Sequence, residues 1–380
     1  MTTVAVETQY RQWYEERHKY AKEWKERTGG TVVGTFCTYV PEELLYAHNM
    51  LPVRILGSHE PQDVTEPHIF GMFCPFSRDA LAQGLKGRYS YVDAIVLSHS
   101  CLHFRQTFTS WKMHLPLKWS YYLPMPNAVQ SSHSKGAMAS EVAKFKEFLE
   151  AQTGKTITPE EMEKSINLMN ENRRLLRASY ELRKEDNPAI TGTDAMYMAI
   201  TSQFIHKEDH TNALKATLSD IKTNYQNNRE CGIRLMTVGS ENDDAAFFKM
   251  VESLGATVVI DEQCAGSRYF WNEAKPIGDH ITTIANRYID RPPCPTKDYP
   301  ERRRFPHILQ MAKEYKVQGA IIMQEKFCDP HEGDNQPLRE FLEANSIPTL
   351  LIEFDSTNPL GPIRIRVEAF LETLREEELF

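Results

Sequence analysis

Thiols are the most reactive groups this chain carries. It has seven cysteines in 380 residues, and four of them close apolar runs: Cys37 after "TVVGTF", Cys101 after "AIVLSHS", Cys264 after "TVVIDEQ" and Cys328 after "AIIMQEKF". Cys74, in "GMFCPFSRDAL", and Cys294, in "RPPCPTKD", stand just ahead of helical patterns. Only Cys231 precedes its strand, "GIRLM", and it reads as structural. Sulfur so placed can fill space as a small apolar group, pair as disulfides, attack an electrophile, or bind a soft metal.

The elements that must position these thiols alternate. "GTVVGTFC", "LPVRILG", "VDAIVLSHSC" and "LKWSYYLPMP" read as strands, with the helices "PEELLYAHNM" and "PFSRDALAQGLKG" between them. After about residue 231 the alternation resumes, with strands "GIRLMTVGS", "GATVVIDEQC", "QGAIIMQEKFC" and "IPTLLIEFDS". Their helices are "NDDAAFFKMVESLG", "ERRRFPHILQMAKEYK" and "PLREFLEANS". The middle of the chain shows only helical spacing. There Thr158, Pro159 and Glu161 spell one helix start, and Thr193 or Asp194 is the expected cap of a second. The expected fold is α/β with parallel sheets. It has an N-terminal helix over 1–30, a first α/β lobe over 31–134, a helical bridging segment over 135–230 and a second α/β lobe over 231–380.

Ligands of open parallel sheets collect beyond the carboxyl ends of the strands. Helices that run back from that edge start at it, so six cysteines converge on one interlobe cleft, the expected metal site. Structural zinc usually uses a close CxxC pair, and there is none. Disulfides do not suit the reducing cytoplasm, where the chain is placed because its N-terminus shows no signal pattern. Cys328 with His331 is a possible nucleophile pair. Widely spaced thiolates gathered by the fold suit an iron–sulfur cluster. His103 and Arg105, beyond Cys101, are candidates for orienting a carbonyl or phosphate unless they lie in a solvated loop; Arg268 is a further substrate-binding candidate. Glu43 is a candidate for proton transfer, unless it only complements the start of its helix. His331 is a catalytic candidate on the same footing.

The balance of the composition narrows the partners. With 41% hydrophobic and 25% charged residues and a net charge of −8, the chain has the make-up of a globular protein without a nucleic-acid surface. No run of about 18 apolar residues occurs, so no membrane span is expected. Neither GxGxxG nor GxxxxGK[ST] is present, so nucleotide hydrolysis belongs to another chain.

Taken together, "GTFCTYVPEELLYAHNMLPVRILG", "FCPFSRDAL", "SHSCLHFRQ", "IDEQCAGSRYFW" and "QEKFCDPHEGD" resemble the 2-hydroxyacyl-CoA dehydratase component D family. That family includes the catalytic subunits of ATP-dependent benzoyl-CoA reductase and the double-cubane-cluster proteins. The resemblance covers nearly the whole chain. It implies two Rossmann-like lobes and a 4Fe–4S cluster in the interlobe cleft, with Cys37, Cys101 and Cys328 as ligands. It implies an acyl-CoA thioester reduced to a ketyl radical anion, and a homologous second catalytic subunit. It also implies ATP-hydrolysing activator subunits with their own 4Fe–4S cluster, fed by a ferredoxin. "SCLHFRQ" departs from the more frequent "CD" continuation, and the C-terminal motifs look more like the reductase branch. The smaller catalytic subunit of a benzoyl-CoA reductase is therefore the expected role. A 2-hydroxyacyl-CoA dehydratase subunit, a double-cubane reductase of small molecules and a non-enzymatic metal-binding scaffold are the alternatives. One cubane takes at most four protein thiolates. Adding Cys74, Cys264 and Cys294 gives three per lobe, the number for an 8Fe–9S double cubane.

Overall fold

The computed structural model describes residues 6–225, 230–355 and 359–377. Residues 1–5 of the expected N-terminal helix and 226–229 of the expected bridging segment lie outside these. Four strands form the first sheet: β1 (Val32–Thr35), β2 (Leu51–Arg54), β3 (Ala94–Ser98) and β4 (Trp119–Leu123), in the order β2-β1-β3-β4. The second sheet contains β5 (Ile233–Gly239), β6 (Ala256–Glu262), β7 (Gly319–Glu325) and β8 (Thr349–Phe354), in the order β6-β5-β7-β8. All the pairings are parallel. The two Rossmann-like lobes therefore share one topology, each with its switch point between the first and third strands. Strands β1, β3, β5 and β6 are buried along their whole length, which is why they read as continuous apolar runs rather than alternating ones. The edge strands β4 and β8 are only partly buried.

Several elements differ from their expected form. The N-terminal helix is two helices, Val6–Glu15 and Arg17–Thr28. Its first half is tied down across the chain: Tyr14 donates from its hydroxyl to the Asp243 carbonyl at 2.9 Å. The Thr158 capping box is present, with Glu161 N–H donating to Thr158 Oγ1 and Thr158 N–H to Glu161 Oε2. The second cap is Thr191 rather than Thr193 or Asp194. Asp194 is the third helical residue, and its carboxylate reaches back to the Thr191 N–H at 3.0 Å.

One helix crosses between regions. His280–Asp290 packs on Ser134–Thr153, and its Ile284, Ala285, Tyr288 and Ile289 join Val142, Phe145 and Leu149 in the core under the first sheet. Its sequence, "HITTIANRYID", is rich in β-branched residues, so propensity hides it. The buried apolar stripe and the Asp279 cap, which accepts from Thr282 N–H at 2.7 Å, hold it.

The lobes are also joined by His59, in the loop after β2, whose Nε2 lies 2.9 Å from Asp243 Oδ1, beyond β5. Burial lowers the His59 pKa, but the Asp243 charge and hydrogen bond, with Asp244 and Asp79 behind them, outweigh it and raise it to about 9. A folded pKa above the ordinary 6.5 means that this link stabilises fully below pH 6.5 and fades as pH rises through about 9. The stability difference between wild type and His59→Ala should therefore shrink from pH 6 to pH 10 in urea titrations. A constant difference would show that the imidazolium contributes nothing.

Candidate metal centre

The two carboxyl edges face each other across a cavity of about 690 Å³, its mouth included, within the range of small-molecule and cofactor sites. Cys37, Cys74, Cys101, Cys264, Cys294 and Cys328 all line it. Cys37 follows β1 by two residues. Cys74, Cys101 and Cys328 are the N-cap residues of the helices Pro75–Leu85, Leu102–His114 and Asp329–Glu343, and none uses its sulfur as a cap. The region of His103 and Arg105 is thus helical, not a loop. Helix starts present unpaired N–H groups and a positive dipole end, which favour thiolate over thiol. Cys101 and Cys328 occupy matching positions, each directly after the third strand of its sheet. Before Cys328 the chain turns through Phe327 at φ +59, a left-handed conformation that an aromatic residue rarely adopts.

Cys74 is buried and the other five cysteines are half-buried, against apolar walls that include Phe36, Phe76 and Phe104. Burial pushes Cys101 up to about 12, and Cys74 adds to the rise. It pushes Cys74 up to about 11 and drives Cys328 well above its ordinary value, helped by Cys74 and Cys101. Cys264 is raised by burial against the pull of Arg268. Such thiols stay protonated until a bound cation offsets the cost, so loading a metal here releases protons.

Among the described residues no three His, Cys, Asp or Glu side chains converge on one ion. Thiolates on a single zinc sit about 2.3 Å from it, hence within about 4.6 Å of each other. Six thiols spread around the walls fit a polynuclear group better. A second observation agrees. Arg54 Nε and Nη1, Arg268 Nη1, Arg291 Nε, Thr296 Oγ1, His331 Nε2 and one acceptor, Glu241 Oε1, are buried without a hydrogen-bond partner, and all belong to residues lining the cavity. Buried polar groups are normally paired. Most of these are N–H donors, and an anionic inorganic group with acceptor sulfurs is what they lack.

The other candidates divide. His331 lines the cavity, and burial followed by Arg268 and Arg304 holds its pKa well below 6.5, so it is neutral. Arg268 lines it too, donating from Nη2 to Cys264 Sγ at 3.1 Å. His103 does not line it; its Nδ1 accepts from the Cys74 N–H at 3.1 Å, and its ring stacks on Phe73. Arg105 is exposed on its helix and outside the lining. Glu43 is not brought to the cavity either. It is paired at 2.6 Å with Arg173 and accepts from Tyr288 at 3.0 Å. Cys231, at the amino end of β5, accepts from Arg234 Nη1 at 3.3 Å and takes no part in the lining. Arg54, Arg291, Glu241 and Glu325, none of them a candidate from the sequence, also line the cavity. Arg54 ends β2, so the carboxyl-end rule that picks out the cysteines could have found it.

Residues 37–374 match the family model described as 2-hydroxyglutaryl-CoA dehydratase, D-component. The chain is 27% identical to the (R)-phenyllactyl-CoA dehydratase beta subunit of Clostridium sporogenes, over 94% of this chain and 95% of that one. It is 23% identical to a benzoyl-CoA reductase subunit of Thauera aromatica, over 93% and 94%. It is also 23% identical to the beta subunit of (R)-2-hydroxyglutaryl-CoA dehydratase of Acidaminococcus fermentans, over 91% and 93%. The family match opens on Cys37 and takes in all six cavity cysteines, so the site lies inside the shared region and the chain belongs to the 2-hydroxyglutaryl-CoA dehydratase D-component family.

Proposed function

We propose that this chain is the iron–sulfur subunit of an ATP-dependent acyl-CoA reductase, with benzoyl-CoA as substrate and a cyclic dienoyl-CoA as product. The observation that carries the reading is six cysteines, three from 31–134 and three from 231–380, around one cavity. We read all six as ligands of an 8Fe–9S double cubane, with Cys37, Cys101 and Cys328 as its core set. When bound, the cluster supplies single electrons at very low potential. The chain's residues do the rest. Helix starts and buried guanidiniums offset negative charge, and phenyl walls exclude water that would quench a radical anion. His331 Nε2 is the proton-handling atom we retain.

The partners follow from what the chain lacks. It carries no nucleotide motif, so ATP-driven electrons come from activator subunits with their own 4Fe–4S cluster, supplied by a ferredoxin. The relatives are named as subunits, which supports a homologous second catalytic chain. Among the described residues no helix is long and apolar enough to cross a membrane.

Two other readings each have an observation behind them. The phenyllactyl relative, at 27% identity, favours a 2-hydroxyacyl-CoA dehydratase subunit. The six cysteines lining one cavity favour a double-cubane reductase of small molecules.

The deciding experiment is anaerobic. Purified chain, second subunit, activator, ATP and a strong reductant are given benzoyl-CoA or an (R)-2-hydroxyacyl-CoA, alongside iron and sulfide analysis. Dienoyl-CoA formed with two electrons consumed per turnover is expected. Redox-neutral loss of water from the hydroxyacyl thioester moves the chain to the lyase branch, and ATP hydrolysis by the chain alone contradicts the division of labour.

A further inference from the structure

Among the six cavity cysteines, Cys264 has a singular neighbour. Arg268, 1% exposed, donates from Nη2 to Cys264 Sγ at 3.1 Å and to the Gly239 carbonyl at 2.7 Å. Its Nε lies 3.4 Å from Glu262 Oε1. Glu262 is in turn held by Arg304, whose Nε and Nη2 are both 2.9 Å from Oε2, and Arg304 reaches Asp334 at 3.2 Å. A buried series of alternating charges thus runs from the cavity wall to the helix Asp329–Glu343 and fixes the guanidinium. The other two arginines of the lining bond to oxygen rather than to a cavity sulfur. Arg54 pairs with Glu241 at 3.4 Å, and Arg291 donates to the Thr38 carbonyl and hydroxyl.

We propose that Arg268 is a positioning residue that aims Cys264 at the cavity as a cluster ligand and, through its N–H bond to that sulfur, raises the cluster's reduction potential. The inference rests on the iron–sulfur reading above. An N–H donor withdraws electron density from a coordinating thiolate, and a fixed cation nearby lowers the cost of adding an electron. Both effects grow where water is excluded. If Arg268 is lost, Glu262 keeps Arg304 on Oε2 while its Oε1 loses the neighbouring cation, so iron is measured on each variant.

The test is an anaerobic redox titration of the reconstituted protein followed by electron paramagnetic resonance, with iron analysis on each sample. Arg268→Met is expected to keep wild-type iron and titrate at a more negative potential, with Arg268→Lys, which restores charge and one donor, in between. Where Arg268→Met loses iron, Arg268→Lys decides by the same sign. An unchanged or more positive potential at full iron overturns the proposal, as does loss of iron from both variants, which would make the residue a structural support. A wild-type chain that takes up no iron overturns the underlying reading, and the proposal with it.

Discussion

Alanine at Cys37, Cys101 or Cys328 is expected to bleach the iron–sulfur absorption of the anaerobically purified protein and abolish its activity, while Cys231→Ala does neither. Each of the three thiols comes from a different chain segment: the loop after β1 and the helix starts after β3 and β7. Cys231 lies at the opposite edge of the second sheet, where its sulfur accepts from Arg234 and its backbone bonds to Asn187 and Thr257. Full iron in all three alanine variants would sink the ligand assignment. The same analysis counts clusters. Near eight irons per wild-type chain supports the double cubane, with Cys74, Cys264 and Cys294 as working ligands. Four irons that persist through Cys74→Ser, Cys264→Ser and Cys294→Ser together would leave one cubane and three bystanders.

How much of this is legible in the sequence depends on the range of the forces involved. The strands are plain because β1, β3, β5 and β6 are buried on both faces, and the resulting apolar runs are local signals. The gathering of six cysteines follows from one rule about strand ends, since each sits within a few residues of a boundary. The start of the helix Leu102–His114 cannot be told from a loop, because cysteine is not a recognised N-cap residue. The same residue choice makes sense once the thiol faces a cavity. Buried arginines are illegible for a different reason. "LPVR" shows a charge at a strand end, but whether Arg54 meets solvent or six thiols is decided by β-strands and loops far away in the chain.

Glu43 illustrates that limit and yields a large expected effect. Its place in the sequence suggests proton transfer or the helix dipole, yet its main partner, Arg173, is 130 residues away on the helix Pro159–Glu181. Both side chains are almost wholly buried, and the Arg173 charge, with Arg287 behind it, overcomes burial and holds the Glu43 carboxyl below its ordinary range. Such a carboxylate keeps its charge, and its work is to fasten the helix that follows Cys37 to the helix Pro159–Glu181. Glu43→Ala strands the Arg173 guanidinium with Asn170 as its remaining hydrogen-bond partner, at 3.0 Å. Removing one member of a buried pair costs about 3–5 kcal/mol. Glu43→Ala should therefore lower the urea midpoint sharply, and Arg173→Met added to Glu43→Leu should recover much of the loss. Arg174–Glu273 is the control, because it has the same 2.6 Å separation but is half exposed. There, Arg174→Ala should cost about 0–1 kcal/mol. Equal costs at the two sites would show that distance, not burial, governs these pairs.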